Sequence, residues 1–244
     1  MDRSARVAVV SGGSSGIGRA IVAELHREGW VVYTCGRDAT KLSQLEGDLR
    51  GVRTAVCDVA DRAAVRRFAE KVFAESQTVD LVVSNAGGLR EIDFSRADLA
   101  DVDVTAELRI NTGGAIHLIA EFLPGLKRAD RGAILVVSSG YALAPATRAP
   151  VYSASKAALH VFCKALRRQL ASSGISVTEL LPPVVDTPAV AHRKVAKISA
   201  ESVARMALDG VAARRAEVLP GQTRLLPFLL RIAPGLAERI VAKT

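Results

Sequence analysis

The sequence predicts an α/β protein in which a doubly wound parallel sheet of about seven strands carries helices on both faces. Short runs rich in β-branched residues alternate with longer segments whose apolar residues recur at three and four positions, as on one face of a helix. The short runs are apolar throughout, which is typical of strands buried on both faces of a parallel sheet. The predicted strands are residues 6–10, 30–35, 53–56, 80–84, 133–137, 175–180 and 217–219, and the predicted helices include 18–28, 62–75, 105–127 and 153–172.

Length and composition favour one domain spanning residues 1–244. A chain of 244 residues with 49% hydrophobic and 24% charged residues can bury a full core. No window approaches the roughly 18 consecutive apolar residues of a membrane span, and no secretory pattern precedes the first strand. We therefore expect a cytoplasmic location.

The cysteines, histidines and charges argue against a metal site and against a nucleic-acid partner. Cys35, Cys57 and Cys163 are odd in number, widely spaced and set in apolar runs, which is typical of reduced core thiols. The four histidines are equally scattered, so we expect no metal. The net charge of +8 is spread along the chain without a basic block. It indicates a basic surface that attracts anionic cofactors rather than nucleic acid.

A glycine-rich turn follows the first strand and opens a helix. Residues 11–18 read Ser-Gly-Gly-Ser-Ser-Gly-Ile-Gly. Glycine permits a tight strand-to-helix turn, lets the backbone approach a pyrophosphate and leaves helix amides pointing at the anion. A tight turn without a ligand is the alternative. The candidate phosphate-binding residues are Gly12, Ser14, Ser15, Gly16, Ile17 and Gly18.

Tyr152 and Lys156 form the candidate pair for proton transfer. They are four residues apart near the start of a helix, so their side chains share one face and can meet a single ligand. A free tyrosine has a pKa of about 10, and a nearby ammonium lowers that pKa by stabilising the phenolate. We therefore expect Tyr152 to act as a general acid and base.

The glycine spacing and the catalytic pair resemble those of the short-chain dehydrogenase/reductase family. The turn has the family's Gly-x-x-x-Gly-x-Gly spacing, with Ser11 in place of the usual threonine, and further motifs follow in family order to about residue 190. The resemblance implies a Rossmann-type fold with the catalytic residues Asn111, Ser139, Tyr152 and Lys156. In that scheme Ser139 orients the substrate, Lys156 also anchors the nicotinamide ribose, and Asn111 holds a water for a proton relay.

The end of the second strand favours NADP(H) over NAD(H). NAD enzymes place an acid there to accept from the ribose 2′-hydroxyl, whereas NADP needs a cation for its 2′-phosphate. By comparison with the family, Gly36 replaces that acid, and Arg37 stands where many NADP-preferring members place arginine. Without the acid, the 2′-phosphate of NADP is not repelled, and the Arg37 guanidinium can bind it. Both changes favour NADP(H). The alternative is that Arg37 is an ordinary surface arginine, partly neutralised by Asp38.

Several later strand ends resemble the family's cofactor wall. The resemblance implies that the remaining cofactor-binding residues are Asp58, Val59, Asn85, Ala86, Gly87, Tyr152, Lys156, Pro182, Val185 and Thr187. Pro183 replaces the family's usual glycine and has no amide donor, so we expect this loop to differ in geometry. Ser138 is the alternative to Ser139 as the substrate-orienting serine, and either hydroxyl could instead cap the backbone where the strand ends.

Two segments near the C-terminus are assigned to the substrate end. Residues 184–200 are expected to form a lid, in which the basic stretch 192–194 is either a solvated surface or a partner for an acidic substrate. The tail, residues 222–244, is apolar on one side and is broken by Pro227 and Pro234. We expect it to pack over the substrate pocket or against a second subunit, and a membrane-surface helix is the alternative.

Together these features predict an NADP(H)-dependent oxidoreductase that interconverts a small-molecule carbonyl and a secondary alcohol. The alternatives are a non-catalytic NADP(H)-binding sensor or scaffold of the same fold, and non-redox chemistry on that fold. The resemblance also implies a homodimer or homotetramer formed through the helices predicted at 105–127 and 153–172. The substrate class is not indicated, since one fold and one catalytic group serve many substrates.

Overall fold

A seven-stranded parallel sheet forms the centre of the computed structural model, which describes residues 5–95, 98–191 and 195–242. The strand order is β3-β2-β1-β4-β5-β6-β9, and this sheet confirms the predicted architecture. A separate small sheet pairs β7 with β8. The strands are β1 (Val7–Ser11), β2 (Val31–Gly36), β3 (Arg53–Val56), β4 (Leu81–Ser84), β5 (Ala133–Val137), β6 (Ser176–Leu180), β7 (Val185–Asp186), β8 (Ile198–Ser199) and β9 (Glu217–Val218).

Helices cover both faces of the main sheet. One face carries α1 (Gly16–Arg27), α2 (Ala39–Asp48) and α6 (Ala200–Ala212). The opposite face carries α3 (Arg62–Glu75), α4 (Gly114–Arg128) and α5 (Pro150–Gln169). Two short helices, α7 (Leu226–Ile232) and α8 (Pro234–Ala242), end the described chain.

The core lies in two layers because successive strand side chains point to opposite faces of the sheet. On β1, Val9 packs into the layer under α3, α4 and α5, whereas its neighbour Val10 packs into the layer under α1 and α6. The first layer is centred on Phe122, whose ring centroid lies 5.6 Å from those of both Phe68 and Phe73. Burial of these side chains supplies most of the driving force for the fold.

Two elements differ from their prediction. The expectation that residues 53–56 are buried on both faces is wrong, because β3 is the edge strand of the sheet and pairs only with β2. Its last residue, Val56, is 67% exposed. The segment predicted as one helix at 105–127 begins instead with a π-helical turn, Leu108–Gly113, and becomes α-helical at Gly114.

The tail forms two helices rather than one, as its prolines predict. A 3₁₀ turn at Gly221–Leu225 leads into α7, and α8 begins at Pro234. Leu226 and Ala237 pack with Ala144 in a small buried cluster, so the tail packs against the segment that follows β5. Across the described residues, every helix is too short or too polar to cross a membrane.

The strand order reverses between β1 and β4. The chain passes from β1 to β2 and β3 on one side of the sheet and then returns to place β4 on the other side. Ligands of doubly wound sheets bind outside the carboxyl ends of the strands at such a reversal. A cleft of about 1460 Å³ lies at this position.

Candidate active site

The glycine-rich turn joins β1 to α1 at the floor of the cleft. Gly12 (φ +69°) and Gly16 (φ +54°) adopt left-handed backbone conformations that side chains disfavour. A Cβ at Gly18 would lie 2.3 Å from the carbonyl oxygen of Gly12, so only glycine lets the helix start this close to the turn. Gly18 therefore packs behind the turn, and the other predicted phosphate-binding residues line the cleft.

Ser11 and Asn85 hold the ends of β1 and β4 together beside that turn. The Ser11 hydroxyl accepts from the backbone amides of Asn85 (3.0 Å) and Ala86 (3.1 Å). The Asn85 side-chain amide donates to the carbonyl oxygens of Ser11 and Gly12, each at 3.1 Å. These hydrogen bonds require only a hydroxyl at position 11, so serine can take the place of the family's usual threonine.

The end of β2 presents two cations to the cleft. Arg37 is exposed, lines the cleft and forms no ion pair with the described part of the chain. Asp38 pairs instead with Lys41, whose Nζ lies 3.2 Å from its carboxylate. The backbone amide of Lys41 is the main reason that the pKa of Asp38 lies below its ordinary value. Asp38 is therefore paired with Lys41 rather than with Arg37, and Lys41 is a cleft residue that the sequence analysis did not identify.

Asn111 lies on the π-helical turn, directly behind the cleft. Its Oδ1 accepts from the backbone amide of Gly88 (2.9 Å), and its Nδ2 donates to the Gly88 carbonyl (3.0 Å) and to the Ser155 hydroxyl (2.9 Å). A Cβ at Gly87 would lie 2.8 Å from Oδ1 and 3.7 Å from the Nζ of Lys156. Asn111 thus fixes the segment after β4 close to Lys156, although Asn111 does not line the cleft itself.

Tyr152 and Lys156 project into the cleft from the first turns of α5. The Nζ of Lys156 donates to the Val137 carbonyl at 2.9 Å and lies 5.6 Å from the centroid of the Tyr152 ring. The ring of Tyr141 packs edge-on against Tyr152, with centroids 6.1 Å apart. The predicted pair therefore shares one side of the cleft, but the ammonium is directed to the backbone at the end of β5.

Of the two candidate serines, the structure favours Ser139. Its Oγ accepts a hydrogen bond from the backbone amide of Tyr141 (3.2 Å) at the start of a 3₁₀ turn. The Ser139 side chain also forms a hydrogen bond with Tyr152. The Ser138 hydroxyl donates instead to the backbone carbonyl of Lys156 at 3.4 Å. Ser138 thus ties β5 to α5, whereas the Ser139 side chain shares a hydrogen bond with the proposed acid.

Burial shifts both Tyr152 and Lys156 toward their neutral forms. It raises the pKa of Tyr152 to about 12, against a smaller opposing effect of the Ser139 hydrogen bond. Burial also lowers the pKa of Lys156 to about 8. The expectation that Lys156 lowers the pKa of Tyr152 is therefore wrong for this structure. The physical reason is that burial, which disfavours the phenolate, is the largest effect on Tyr152, while the Lys156 ammonium donates to a backbone carbonyl.

Two buried carboxylates next to this pair were not identified from the sequence. Glu107 accepts from the Arg90 amide at 2.8 Å through one oxygen, and its other oxygen is buried with no hydrogen-bond partner in the described residues. Burial raises the pKa of Glu107. Glu179, fully buried on β6, accepts from or shares a proton with His160 at 2.8 Å. Its charge raises the pKa of Lys156 against the effect of burial.

His160 and Glu179, together with Glu217, are also the described residues that come closest to a metal-ligating group, with their ligand atoms within 4.8 Å of one another. Arg167 lies 3.8 Å from the same Glu179 oxygen that contacts His160. The Arg167 guanidinium thus supplies positive charge close to this carboxylate. We interpret the group as a buried polar cluster beside Lys156.

The remaining predicted residues form the rest of the cleft wall. Asp58, Val59, Ala86, Gly87, Pro182, Val185 and Thr187 all line it. Pro183 lines it as well, and the loop is held by a 3.0 Å hydrogen bond from the Gly140 amide to the Pro182 carbonyl. This bond uses the residue before Pro183, so the loop keeps its place without an amide donor at 183. The basic lid residues His192, Arg193 and Lys194 lie outside the described residues.

The chain is similar in sequence to known dehydrogenases and reductases. The pattern of the short chain dehydrogenase family matches residues 6–197. The uncharacterized oxidoreductase DltE of Bacillus subtilis is 38% identical over 182 residues, which cover 73% of this chain and 71% of that protein. The fatty acyl-CoA reductase of Acinetobacter baylyi is 29% identical over 240 residues, which cover 95% of this chain and 81% of that protein.

Solved structures share the fold over nearly the whole chain. A short chain dehydrogenase from Burkholderia cenocepacia in complex with NADP superposes with a TM-score of 0.86 at 24% identity and covers 99% of both chains. A variant of the actinorhodin polyketide ketoreductase with NADPH gives a TM-score of 0.81 at 27% identity, over 88% of this chain and 95% of that one. Because the family pattern matches residues 6–197, which include the glycine-rich turn and α5, this chain belongs to the short chain dehydrogenase family.

Proposed function

We propose that this chain is an NADP(H)-dependent oxidoreductase that interconverts a carbonyl and a secondary alcohol, with Tyr152 as the general acid and base. The observation that carries the proposal is that the glycine-rich turn, Arg37, Tyr152 and Lys156 all line one continuous cleft of about 1460 Å³. Sites for single small molecules usually have volumes of about 300–1,000 Å³. The cleft therefore has room for a dinucleotide and a substrate together.

The residues present fit a phosphorylated dinucleotide. Gly16 begins α1, so the first amides of this helix face the cleft without helical partners, and such amides bind phosphate. Arg37 and Lys41 add two cations at the end of β2, where a 2′-phosphate would lie. The ketoreductase relative at 27% identity is in complex with NADPH, which supports the same cofactor here.

The protein's own part in the reaction is to hold the substrate oxygen and to supply its proton. When bound, NADP(H) would supply the hydride for the substrate carbon, or the acceptor for it in the reverse direction. Ser139 and Tyr152 hydrogen-bond to the substrate oxygen, and the neutral Tyr152 donates its phenolic proton as negative charge develops there. Lys156, which lines the same side of the cleft, would hold the ribose hydroxyls of the bound nucleotide through its ammonium group. In the reverse direction Tyr152 accepts the proton.

Tyr152 is protonated at neutral pH, as the proton donor of a reduction must be. A phenol with a pKa of about 12 is almost fully protonated at pH 7 and is ready to donate. Two relatives are named as reductases, of fatty acyl-CoA and of a polyketide, which supports the same direction.

Replacing Tyr152 with phenylalanine tests the proposal. Loss of the proton donor should lower kcat/KM for NADPH-dependent carbonyl reduction by about a thousandfold, because general acid catalysis contributes about 10²–10⁴-fold. NADPH oxidation is followed by absorbance with a panel of ketones. Tyr33→Phe is the matched control, since Tyr33 is a buried core residue on β2 that does not line the cleft. Equal turnover by Tyr152→Phe and the parent protein would refute the role of Tyr152.

The alternative of a non-catalytic sensor makes a different prediction. Such a protein would bind NADPH, and Arg37 would contribute to that binding, yet no ketone would be reduced. Tight NADPH binding together with a lack of turnover across the panel would favour the sensor.

A further inference from the structure

The end of the cleft beyond Tyr152 is walled by the C-terminal tail. Six apolar residues of this tail line the cleft: Leu225, Leu226, Leu229, Ala237, Ile240 and Val241. We propose that the substrate is a carbonyl compound with a long unbranched aliphatic chain, and that the chain lies against these residues, which we call the tail wall. The inference rests on the proposed function, because it names the substrate of the same site.

The tail wall begins directly beside the catalytic serine. Gly140 follows Ser139, and a Cβ at Gly140 would lie 2.8 Å from the Thr223 methyl group and 3.9 Å from the Leu226 side chain. A substrate whose oxygen contacts Ser139 and Tyr152 would therefore place the atoms next to its carbonyl against the start of α7. The tail is firmly attached there, because Leu226 and Ala237 are buried with Ala144.

Charged groups are concentrated at the other end of the cleft. Of the described residues that line it, the charged ones are Arg37, Asp38, Lys41, Asp58 and Lys156, and all but the catalytic lysine follow β2 or β3 at the nucleotide end. The polar residues of the tail that line the cleft are Gln222 and Thr223, and the Thr223 hydroxyl already donates to the Pro220 carbonyl at 2.6 Å. A charged substituent that faces the tail would lose its hydration without meeting an opposite charge among the described tail residues that line the cleft.

The open rim of the cleft is apolar as well. Leu225 and Ile240 line the cleft and are nevertheless 61% and 50% exposed, so they form its edge. A chain that extends from Tyr152 along α7 and α8 would cover them. Each methylene buried in this way should raise kcat/KM by about fourfold, until the chain reaches the rim.

A homologous series of methyl ketones tests the inference. We expect kcat/KM for NADPH-dependent reduction to rise steeply from 2-butanone through 2-octanone and to level off near 2-dodecanone. Turnover of 2-butanone as efficient as that of 2-dodecanone would overturn the aliphatic-chain site and leave the proposed function intact. No turnover of any ketone would overturn both.

Two charge substitutions on one helix locate the chain. Ile240→Asp places a carboxylate at the rim and should lower the ratio of kcat/KM for 2-dodecanone to that for 2-butanone by about tenfold. Leu236→Asp is the matched control, because Leu236 is 53% exposed on the same helix and does not line the cleft. The ratio cancels any loss of folded protein. A ratio that is unchanged in Ile240→Asp, or reduced equally in Leu236→Asp, would overturn the inference.

Discussion

Tyr152 and Lys156 depart from their ordinary pKa values in opposite directions for one reason. Burial disfavours the charged form of each group, so the phenol reaches a pKa of about 12 and the amine a pKa of about 8. Spacing along the helix predicts correctly that the two residues share a face. The spacing cannot show that the Nζ of Lys156 donates to the Val137 carbonyl. Because the ammonium is held at this carbonyl, it has little effect on the pKa of the Tyr152 phenol.

Glu179→Gln should shift the pH dependence of reduction to lower pH. The Glu179 carboxylate raises the pKa of Lys156, as do Cys163 and Glu107, so removing its charge lowers that pKa below about 8. If the ammonium form of Lys156 supports catalysis, kcat/KM will then decline at a lower pH in the variant than in the parent protein. The measurement is kcat/KM from pH 6 to pH 10. Glu217→Gln is the control, because Glu217 lies near Glu179 but has no such effect on Lys156. Identical profiles for Glu179→Gln and the parent would contradict this account.

Arg37→Ala should weaken NADPH binding by about 10- to 100-fold and leave NADH binding nearly unchanged. A charge-assisted hydrogen bond to the 2′-phosphate is lost, and NADH has no such phosphate. Both affinities can be measured by fluorescence titration. Arg50→Ala serves as the control, since Arg50 is exposed and lies outside the cleft. Equal losses for the two nucleotides would show that Arg37 does not select the cofactor.

Single residues were predictable where a motif fixes their place in the chain. Gly12, Asn85 and Tyr152 are of this kind, because each follows a strand or opens a helix in a recognisable pattern. Lys41 and Glu179 carry no such pattern. Their relation to the site depends on how α2 returns to the end of β2 and on how β6 packs under α5, and these contacts join residues far apart in the sequence.

At the level of elements, the unit that shapes the nucleotide end is the contact between β1, α1 and β4. Gly18 lets α1 approach Gly12, and the Asn85 amide closes the same turn from β4. The packing of β1, α1 and β4 against one another therefore depends on the absence of a side chain at Gly18.

Gly18→Ala should lower the free energy of unfolding by about 2 kcal/mol and weaken NADPH binding. The added methyl group would lie 2.3 Å from a backbone carbonyl, and overpacking of this kind typically costs about 1–3 kcal/mol. Urea denaturation measures the change. Gly47→Ala on α2 is the matched control: nothing lies within 4 Å of its added Cβ, so it should leave stability unchanged or raise it by up to about 1 kcal/mol. Similar effects from both substitutions would contradict the proposed packing.

Elements were predictable in type more than in detail. The helix at 62–75 and the strands at 53–56 and 133–137 have their predicted bounds, since periodicity defines them. The π-helical turn at Leu108–Gly113 was not predictable, because it depends on hydrogen bonds between Asn111 and residues on other elements. The exposed face of β3 depends on its place at the sheet edge, which local sequence does not encode.

On the scale of the whole molecule, the strand order creates the cleft and brings distant motifs to one edge. Because the family resemblance supplies this order, the nucleotide end could be predicted from strand ends alone. The tail wall could be predicted only as an apolar segment, since its partner surface around Ala144 lies far away in the sequence. A homodimer or homotetramer through α4 and α5, and membrane contact by the tail, both stay predictions.

Transfer of deuterium from NADPH labelled at the reactive C4 position tests the central claim most directly. Mass spectrometry of the alcohol formed from 2-octanone should show one deuterium at the carbinol carbon for the parent protein, and no labelled alcohol above background for Tyr152→Phe. Tight NADPH binding without label in any alcohol, across ketones of every chain length, would contradict the account and identify the chain as a nucleotide-binding protein without redox activity.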